Sequence, residues 1–364
     1  MRILRVAQTV YPEVKGGGAY HVHAMSRDQA AMGHDVTVLT LSRGVDEPHR
    51  ERRDGYDIVR YPVTTSALGN DISLGVASFL RDAHSFDVIH AHSHLYFSTN
   101  LAALKRRLGD IPLAITNHGL YSQNAPKWLF DLYLRSVGRW TFNQADVVFC
   151  YTETDKQRVG DLGVSSHIEV VPNGIDTNRF TPDGPKSNLI DADGPVVLFV
   201  GRLVEGKRPS DVIQAVATVQ EEYPDVELYL CGEGSLSDEL EELIENLDVD
   251  EAVRFLGHVP YDEMPKVYRS ADVLVLPSRA EGLPRTVLEA QSSGISVVTS
   301  DLEQISDALG PNGQTFEGGN VMDLSNVLAR VVGQNQSDQT AEVQSWESTV
   351  ELTTDHLRAV IRRM

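Results

Sequence analysis

Only two cysteines occur in the 364 residues, Cys150 and Cys231. Each sits in an apolar, strand-like run in a different half of the chain, the pattern of thiols buried for packing rather than of a disulfide or a metal site. Long apolar runs are missing too. None approaches the ~20 residues a membrane span needs, which excludes an integral helical membrane protein. The opening "MRILRVAQTVYP" has neither the apolar core nor the small-residue cleavage site of a secretory signal. It reads as a first buried strand, and the expectation is a cytoplasmic chain. Positive charge is short in one half only. Residues 1–180 balance 19 Lys+Arg against 19 Asp+Glu, whereas residues 181–364 carry 13 against 33, which accounts for the whole net charge of −20. A nucleic-acid partner is thereby excluded, because neutralising phosphates needs a basic face. With 7 Lys against 25 Arg, the acidity suggests a halophilic protein, since high salt screens such self-repulsion.

What is present is an alternation. Short β-branched runs such as "DVTVLTL", "DVIHAH", "PVVLFVG", "VELYLCG" and "DVLVLPS" are separated by amphipathic segments such as "SDVIQAVATVQEEY" and "LSDELEELIENL". Runs apolar on both faces belong to parallel strands covered by helices on both sides. The chain is long enough for two cores. The expected class is therefore α/β, with two Rossmann-like doubly wound domains facing a cleft. The boundaries read as residues 1–172, a Gly, Pro, Asp and Asn-rich linker at 173–194, residues 195–340, and a final helical pattern at 341–364 that crosses back to the first domain.

Ligands of open parallel sheets collect at the carboxyl ends of strands. After "PVVLFV" comes "GRLVEGKRPSDV", in which Arg202 and Lys207 precede a helix starting near Pro209, a combination suited to a phosphate. The spacing approaches that of a P-loop, but Arg208 stands where that motif has its magnesium-binding Ser or Thr. "GGGAYH" follows the first strand without G-x-G-x-x-G spacing, so a dinucleotide fold is weakly supported. Gly16 and Gly17 do permit close approach of backbone to a ligand. In "SRAEGLPRTVLEA", Glu281 and Glu289 are eight residues apart around a helix that starts at about Pro284. Eight residues of helix rise ~12 Å, a gap that suits one carboxylate at each end of an elongated ligand, with phosphates at the helix start between them. A nucleoside-diphosphate sugar has that form. The plain alternative makes Glu281 a solvated loop residue and Glu289 a salt-bridged helix residue.

These motifs together resemble those of the GT-B retaining glycosyltransferases of family 4, the glycosyl transferases group 1. "PSRAEGLPRTVLEA" is similar to its E-x7-E signature, "GRLVEGK" to its donor-phosphate loop, "VVPNGID" to its hinge, "DVIHAHS" and "TNHG" to its first-domain strand ends, and "GGGAYH" to its glycine loop. The resemblance implies that Arg202 and Lys207 hold the diphosphate, with Gly282, Leu283 and Pro284 supplying a helix start. It implies further that Glu281 and His118 meet the sugar, Glu289 the ribose, and Gly16 and Gly17 the phosphate from the first domain. No metal and no cofactor beyond the donor are implied. After "SVVTS" the chain has "DLEQIS" in place of the family's glycine-rich turn, and no residue there is assigned.

Two stretches imitate other sites. "HAHSH" sets His90, His92 and His94 at alternate positions, as in zinc hydrolases, but no carboxylate completes the set. "DAD" at Asp191 to Asp193 precedes a strand rather than following one, the place of a solvated turn. The expected reaction is transfer of a hexose from a UDP- or GDP-linked sugar to an acceptor hydroxyl with retention. A nucleotide-sugar epimerase or hydrolase and a non-catalytic nucleotide-sugar-binding protein are the alternatives. The acceptor reads as a glycan or a lipid-linked precursor. The basic "LAALKRRLG" and aromatic–basic "APKWLFDLYLRSVGRW" suggest peripheral contact of the first domain with an anionic membrane.

Overall fold

The structure is a computed structural model that describes all residues except 45, 68, 122–125, 307, 335–340 and 364. The chain divides into two compact units, Met1–Pro172 with Glu347–Met364, and Asn173–Trp346.

The first unit is built on an eight-stranded sheet and a two-stranded ribbon. Its strands are β1 (Arg2–Val6), β2 (Asp35–Ser42), β3 (His49–Arg53), β4 (Tyr56–Pro62), β5 (Thr65–Ala67), β6 (Asn70–Ile72), β7 (Val88–His92), β8 (Leu113–Thr116), β9 (Val147–Cys150) and β10 (His167–Val170). The order is β10-β9-β8-β7-β1-β2-β4-β3, with β5 and β6 paired separately. All neighbours in the large sheet run parallel except β3, which is antiparallel to β4. Strands β7, β8 and β9 are buried along their whole length, as continuous apolar runs between two helical layers must be. Strand β3, "HRERR", escapes that reading because it is a charged edge. Arg50 pairs with Asp57 of β4, and Arg53 and Arg60 share Glu51; such charges blunt an edge against further pairing.

The second unit contains β11 (Val196–Val200), β12 (Glu227–Cys231), β13 (Val253–Gly257), β14 (Val273–Leu276), β15 (Ser296–Ser300) and β16 (Gly313–Phe316). These form one parallel sheet in the order β13-β12-β11-β14-β15-β16. Strand β16, "GQTF", is too short and polar to be read from the sequence. Helices Pro209–Val219 and Val321–Val332 pack on this sheet through Val212, Ile213, Val216, Leu324 and Leu328, all of them core residues. The segment 173–194 lies on this unit, where the Arg269 guanidinium donates to the carbonyls of Arg179, Thr181 and Pro185.

The final helical pattern forms a helix over Trp346–Arg362; Thr340 and Met364 lie outside the described residues. From Glu347 onward it belongs to the first unit, burying Leu357 and Val360 in the same core as β1 and β2. Both cysteines are buried and unpaired. Burial pushes the Cys150 thiol up to about 12 and the Cys231 thiol to about 11, so both are inert packing groups at neutral pH.

Candidate functional site

In the second sheet the chain order reverses between β11 and β14, since β12 and β13 lie to one side and β15 and β16 to the other. Loops leaving the carboxyl ends of those two strands part in opposite directions and leave the crevice that such sheets offer a ligand. One loop carries Arg202 and Lys207; the other carries Glu281 and runs into helix Arg285–Ser292.

Backbone contacts fix both loops. The Arg279 N–H donates to the Gly206 carbonyl at 2.9 Å, and its guanidinium pairs with Glu205 at 3.2 Å. The turn after β12 supports the first loop from beneath. A Cβ on Gly232 would come within 1.8 Å of the Gly201 carbonyl oxygen, and one on Gly234 within 2.1 Å of that of Leu203. Only glycine allows this approach. Glu281 is braced from the segment after β15, where the Gln304 amide donates to its backbone carbonyl, and the start of its loop is held by Ser300 Oγ at the end of β15, which donates to the Ser278 carbonyl.

These constraints bring Lys207 and Glu281 together as an ion pair, with side chains only 15% and 7% exposed. Glu281 is therefore no solvated loop residue: at this burial an unpaired carboxylate would be costly, and Lys207 compensates it. Arg202 is exposed at the start of the same loop, whereas Gly282 and Leu283 are buried beside Glu281. Arg208 takes a left-handed conformation, φ 50°, and leads into helix Pro209–Val219, whose first residue is the proline. Pro284 differs from its expected role. It caps its helix in an extended conformation, φ −73° and ψ 129°, and the first helical residue is Arg285.

Glu289 stands inside that helix, 4% exposed. The phenols of buried Tyr268 and half-buried Tyr261 each donate to its carboxylate at 3.0 Å, and Arg285, one turn earlier, lies at 3.6 Å. Arg285 also donates to the Tyr261 hydroxyl and to the Gly174 carbonyl. Burial, reinforced by the Glu289 carboxylate, raises the Tyr268 phenol well above its usual pKa and keeps it a donor. The apolar run around Glu289 is tolerable because this polar cluster is folded into it. A buried carboxylate demands donors, but no spacing in the sequence points to Tyr261, Tyr268 or Gln304.

In the first unit, helix Gly17–Ala31 begins at the glycine triplet. Gly16 has φ 150° and Gly16 and Gly17 are exposed. One turn later the helix delivers His21 to within 5.5 Å of the His118 ring, centroid to centroid. Both His118 nitrogens are engaged, Nε2 with His92 Nδ1 at 3.0 Å and Nδ1 with the Tyr151 hydroxyl at 2.9 Å. Burial lowers the His118 pKa to about 4, so the ring is neutral at pH 7. His94 is not on the strand face with His90 and His92. Ser93 turns the chain with φ 66°, and His94 packs against Phe142 and Tyr133. Among the described residues no group of three or more His, Cys, Asp or Glu is disposed to hold a metal ion.

A Tyr268→Phe variant removes one of two phenol donors to a buried carboxylate and is expected to cost about 1–3 kcal/mol of stability in urea unfolding. An unchanged midpoint would contradict the role assigned to this phenol.

The family described as Glycosyltransferase Family 4 matches residues 15–179, and the family Glycosyl transferases group 1 matches residues 181–343. A glycogen synthase of Mycobacterium tuberculosis is 28% identical, over 98% of this chain and 91% of its own length. A D-inositol 3-phosphate glycosyltransferase of Corynebacterium urealyticum is 30% identical, over 76% of this chain and 72% of its own. Among solved structures, the sucrose-phosphate synthase of Thermosynechococcus elongatus superposes with a TM-score of 0.79 at 18% identity, covering both chains completely. Anabaena HepE, solved with UDP and glucose, gives 0.77 at 20% identity, over 99% of this chain and 100% of its own. Two Rossmann-like units of this kind are the GT-B fold, and the chain belongs to the group 1 glycosyltransferases.

Proposed function

We propose that this glycosyltransferase moves a hexose from a UDP- or GDP-linked sugar to an acceptor hydroxyl with retention of anomeric configuration. The observation that carries the reading is the buried Lys207–Glu281 pair at the strand-order reversal, next to a helix start. The chemical barrier is cleavage of the sugar–phosphate bond, with negative charge growing on the departing diphosphate. The Lys207 ammonium, Arg202 and the N–H groups at Gly282 to Leu283 answer that charge. Preorganised donors of this kind are worth roughly 3–4 kcal/mol each. Glu281 addresses the hydroxyls of the transferred sugar, and the reading gives the neutral His118 imidazole of the first unit the same duty. Glu289, already held by its two tyrosines, receives the ribose hydroxyls. The leaving phosphate takes the acceptor proton, and no metal enters the step.

Relatives support the donor class. HepE was solved with UDP-glucose, and a GDP-mannose-dependent phosphatidylinositol monomannoside mannosyltransferase of Mycolicibacterium smegmatis is 28% identical over 79% of this chain. Incubation with UDP- and GDP-sugars tests the reading through its products. Glycosylated acceptor is expected; free nucleotide without it indicates an epimerase or hydrolase, and intact donor indicates a binding protein. A Lys207→Ala variant should lose about 100-fold or more in kcat, the scale of one such donor, while keeping its fold by circular dichroism. Unchanged turnover contradicts the assignment.

The acceptor in this reading is a glycan or a lipid-linked precursor met at a membrane surface. The aromatic–basic stretch forms helix Lys127–Tyr133, a π-helical turn Leu134–Gly138 and helix Arg139–Phe142; Ala125 lies outside the described residues. Phe130, Leu134 and Phe142 are buried, while Trp128, Leu132, Val137 and Trp140 are exposed among Lys127, Arg135 and Arg139. No helix among the described residues is long and apolar enough to cross a membrane. Exposed indoles next to cations suit the interface of an anionic bilayer. The protein is expected to sediment with phosphatidylglycerol vesicles and not with phosphatidylcholine vesicles; remaining in the supernatant with both would remove membrane contact from the account.

A further inference from the structure

Behind His118 lies a buried cation with no counter-charge. Arg5, in the middle of β1, is 0% exposed. Its guanidinium donates to Ser26 Oγ at 2.8 Å, Gln29 Oε1 at 2.6 Å and His90 Nδ1 at 3.3 Å, while Nε has no partner among the described residues. Among the described residues no carboxylate forms an ion pair with Arg5, His90, His92 or His118. Burial lowers the Arg5 pKa to about 9, which leaves it cationic at pH 7. A desolvated, uncompensated and incompletely hydrogen-bonded guanidinium is expensive in a core, where a methionine would fill similar space without the charge.

The charge has an addressee. Arginine only donates, so His90 Nδ1 must accept, and the proton of neutral His90 sits on Nε2, which meets Thr116 Oγ1 at 2.8 Å. His90 and His92 are adjacent on one face of β7 with ring centroids 4.5 Å apart. His92 contacts His118 through a ring nitrogen, and its own Nε2 is buried without a partner. The remaining titratable neighbours are His21 from helix Gly17–Ala31, Tyr151 after β9, and Tyr56 of β4, which faces Arg5; His356 lies beyond Phe149. None of them brings negative charge to the cluster at neutral pH. Burial and the Arg5 charge both lower the pKa of His90 and of His92.

We propose that Arg5 is a positioning residue for His118, a fixed buried charge that acts through His90 and His92 to keep the histidine cluster neutral and the His118 ring in an uncharged, hydrogen-bonded form. A charged His118 would give up its acceptor nitrogen, and whichever of His92 and Tyr151 now donates to it would lose that bond, so the ring would no longer be held in its present orientation. The catalytic meaning of this assignment rests on the reading of His118 as a sugar-facing residue; the ionisation of the cluster does not.

The discriminating variant is Gln29→Glu. Its carboxylate takes the place of the amide oxygen that already accepts from Arg5, and Thr354, which now accepts from the Gln29 amide and donates to the Val350 carbonyl, can turn its hydroxyl from that carbonyl to the new carboxylate. Packing is kept while the cation gains a counter-charge. Histidine titration by nuclear magnetic resonance on the whole protein is expected to show wild-type His90 protonated at Nε2, and His90, His92 and His118 uncharged until well below the ordinary histidine range. In Gln29→Glu the midpoints should rise by about one pH unit or more, whereas Arg5→Lys, which keeps the charge, should hold them near the wild-type value. The acid limb of turnover should move with them. Wild-type imidazoles titrating near the ordinary value of about 6.5 would overturn the proposal whether or not the variants fold, as would unmoved midpoints in a folded Gln29→Glu. A cluster that titrates as expected in a protein without transferase turnover would leave the Arg5 assignment standing and remove the sugar-transfer reading instead.

Discussion

A lysine and a glutamate buried against each other at one strand-order reversal set the terms for the second unit. Neither Lys207 nor Glu281 could stand alone at its burial. Their loops are accordingly overdetermined, by the Arg279 backbone bond, the glycines after β12 and the Gln304 brace. Because the pair is internally neutral, the site does not need a ligand to be stable. In the proposed reading a diphosphate entering it would compete with Glu281 for the ammonium, and a sugar hydroxyl would offer the displaced carboxylate a new partner. Under that reading, one ion pair opening in two directions would read both the charge and the hydroxyls of the ligand.

The first unit meets the same problem with the opposite solution. Where the second unit pairs Lys207 with Glu281, the first holds a cluster of neutral imidazoles next to the buried guanidinium of Arg5. The charge distribution of the sequence mirrors this division. The acidic excess lies wholly in residues 181–364, so Arg202 and Lys207, in the role proposed for them, would work against a negative background that repels a diphosphate lacking such specific contacts.

Most of the architecture was legible because parallel strands buried on both faces must be apolar from end to end, and every such run formed a strand. Strands β3, β5, β6 and β16 were not, β3 being a charged edge and the others short and polar. In the site, the loop cations and both glutamates were legible from position relative to strand ends. Their partners were not. Tyr261 and Tyr268 reach Glu289 from another part of the chain, and Gln304 reaches Glu281 through its backbone; periodicity carries no information about contacts of that range. "HAHSH" misled at one position, since alternate spacing places side chains on one face only while the strand continues, and Ser93 ends it.

The competition between carboxylate and phosphate is the most exposed part of the account. Calorimetric titration of UDP and GDP into the wild-type protein and a Glu281→Gln variant measures it directly, because neither ligand carries the sugar that Glu281 would hold. If the carboxylate occupies the lysine that the diphosphate needs, the variant binds the better of the two nucleotides more tightly, by about tenfold or more, the equivalent of about 1.4 kcal/mol. Equal or weaker binding by a folded Glu281→Gln protein would contradict it, and Lys207 would then have no part in holding the phosphates.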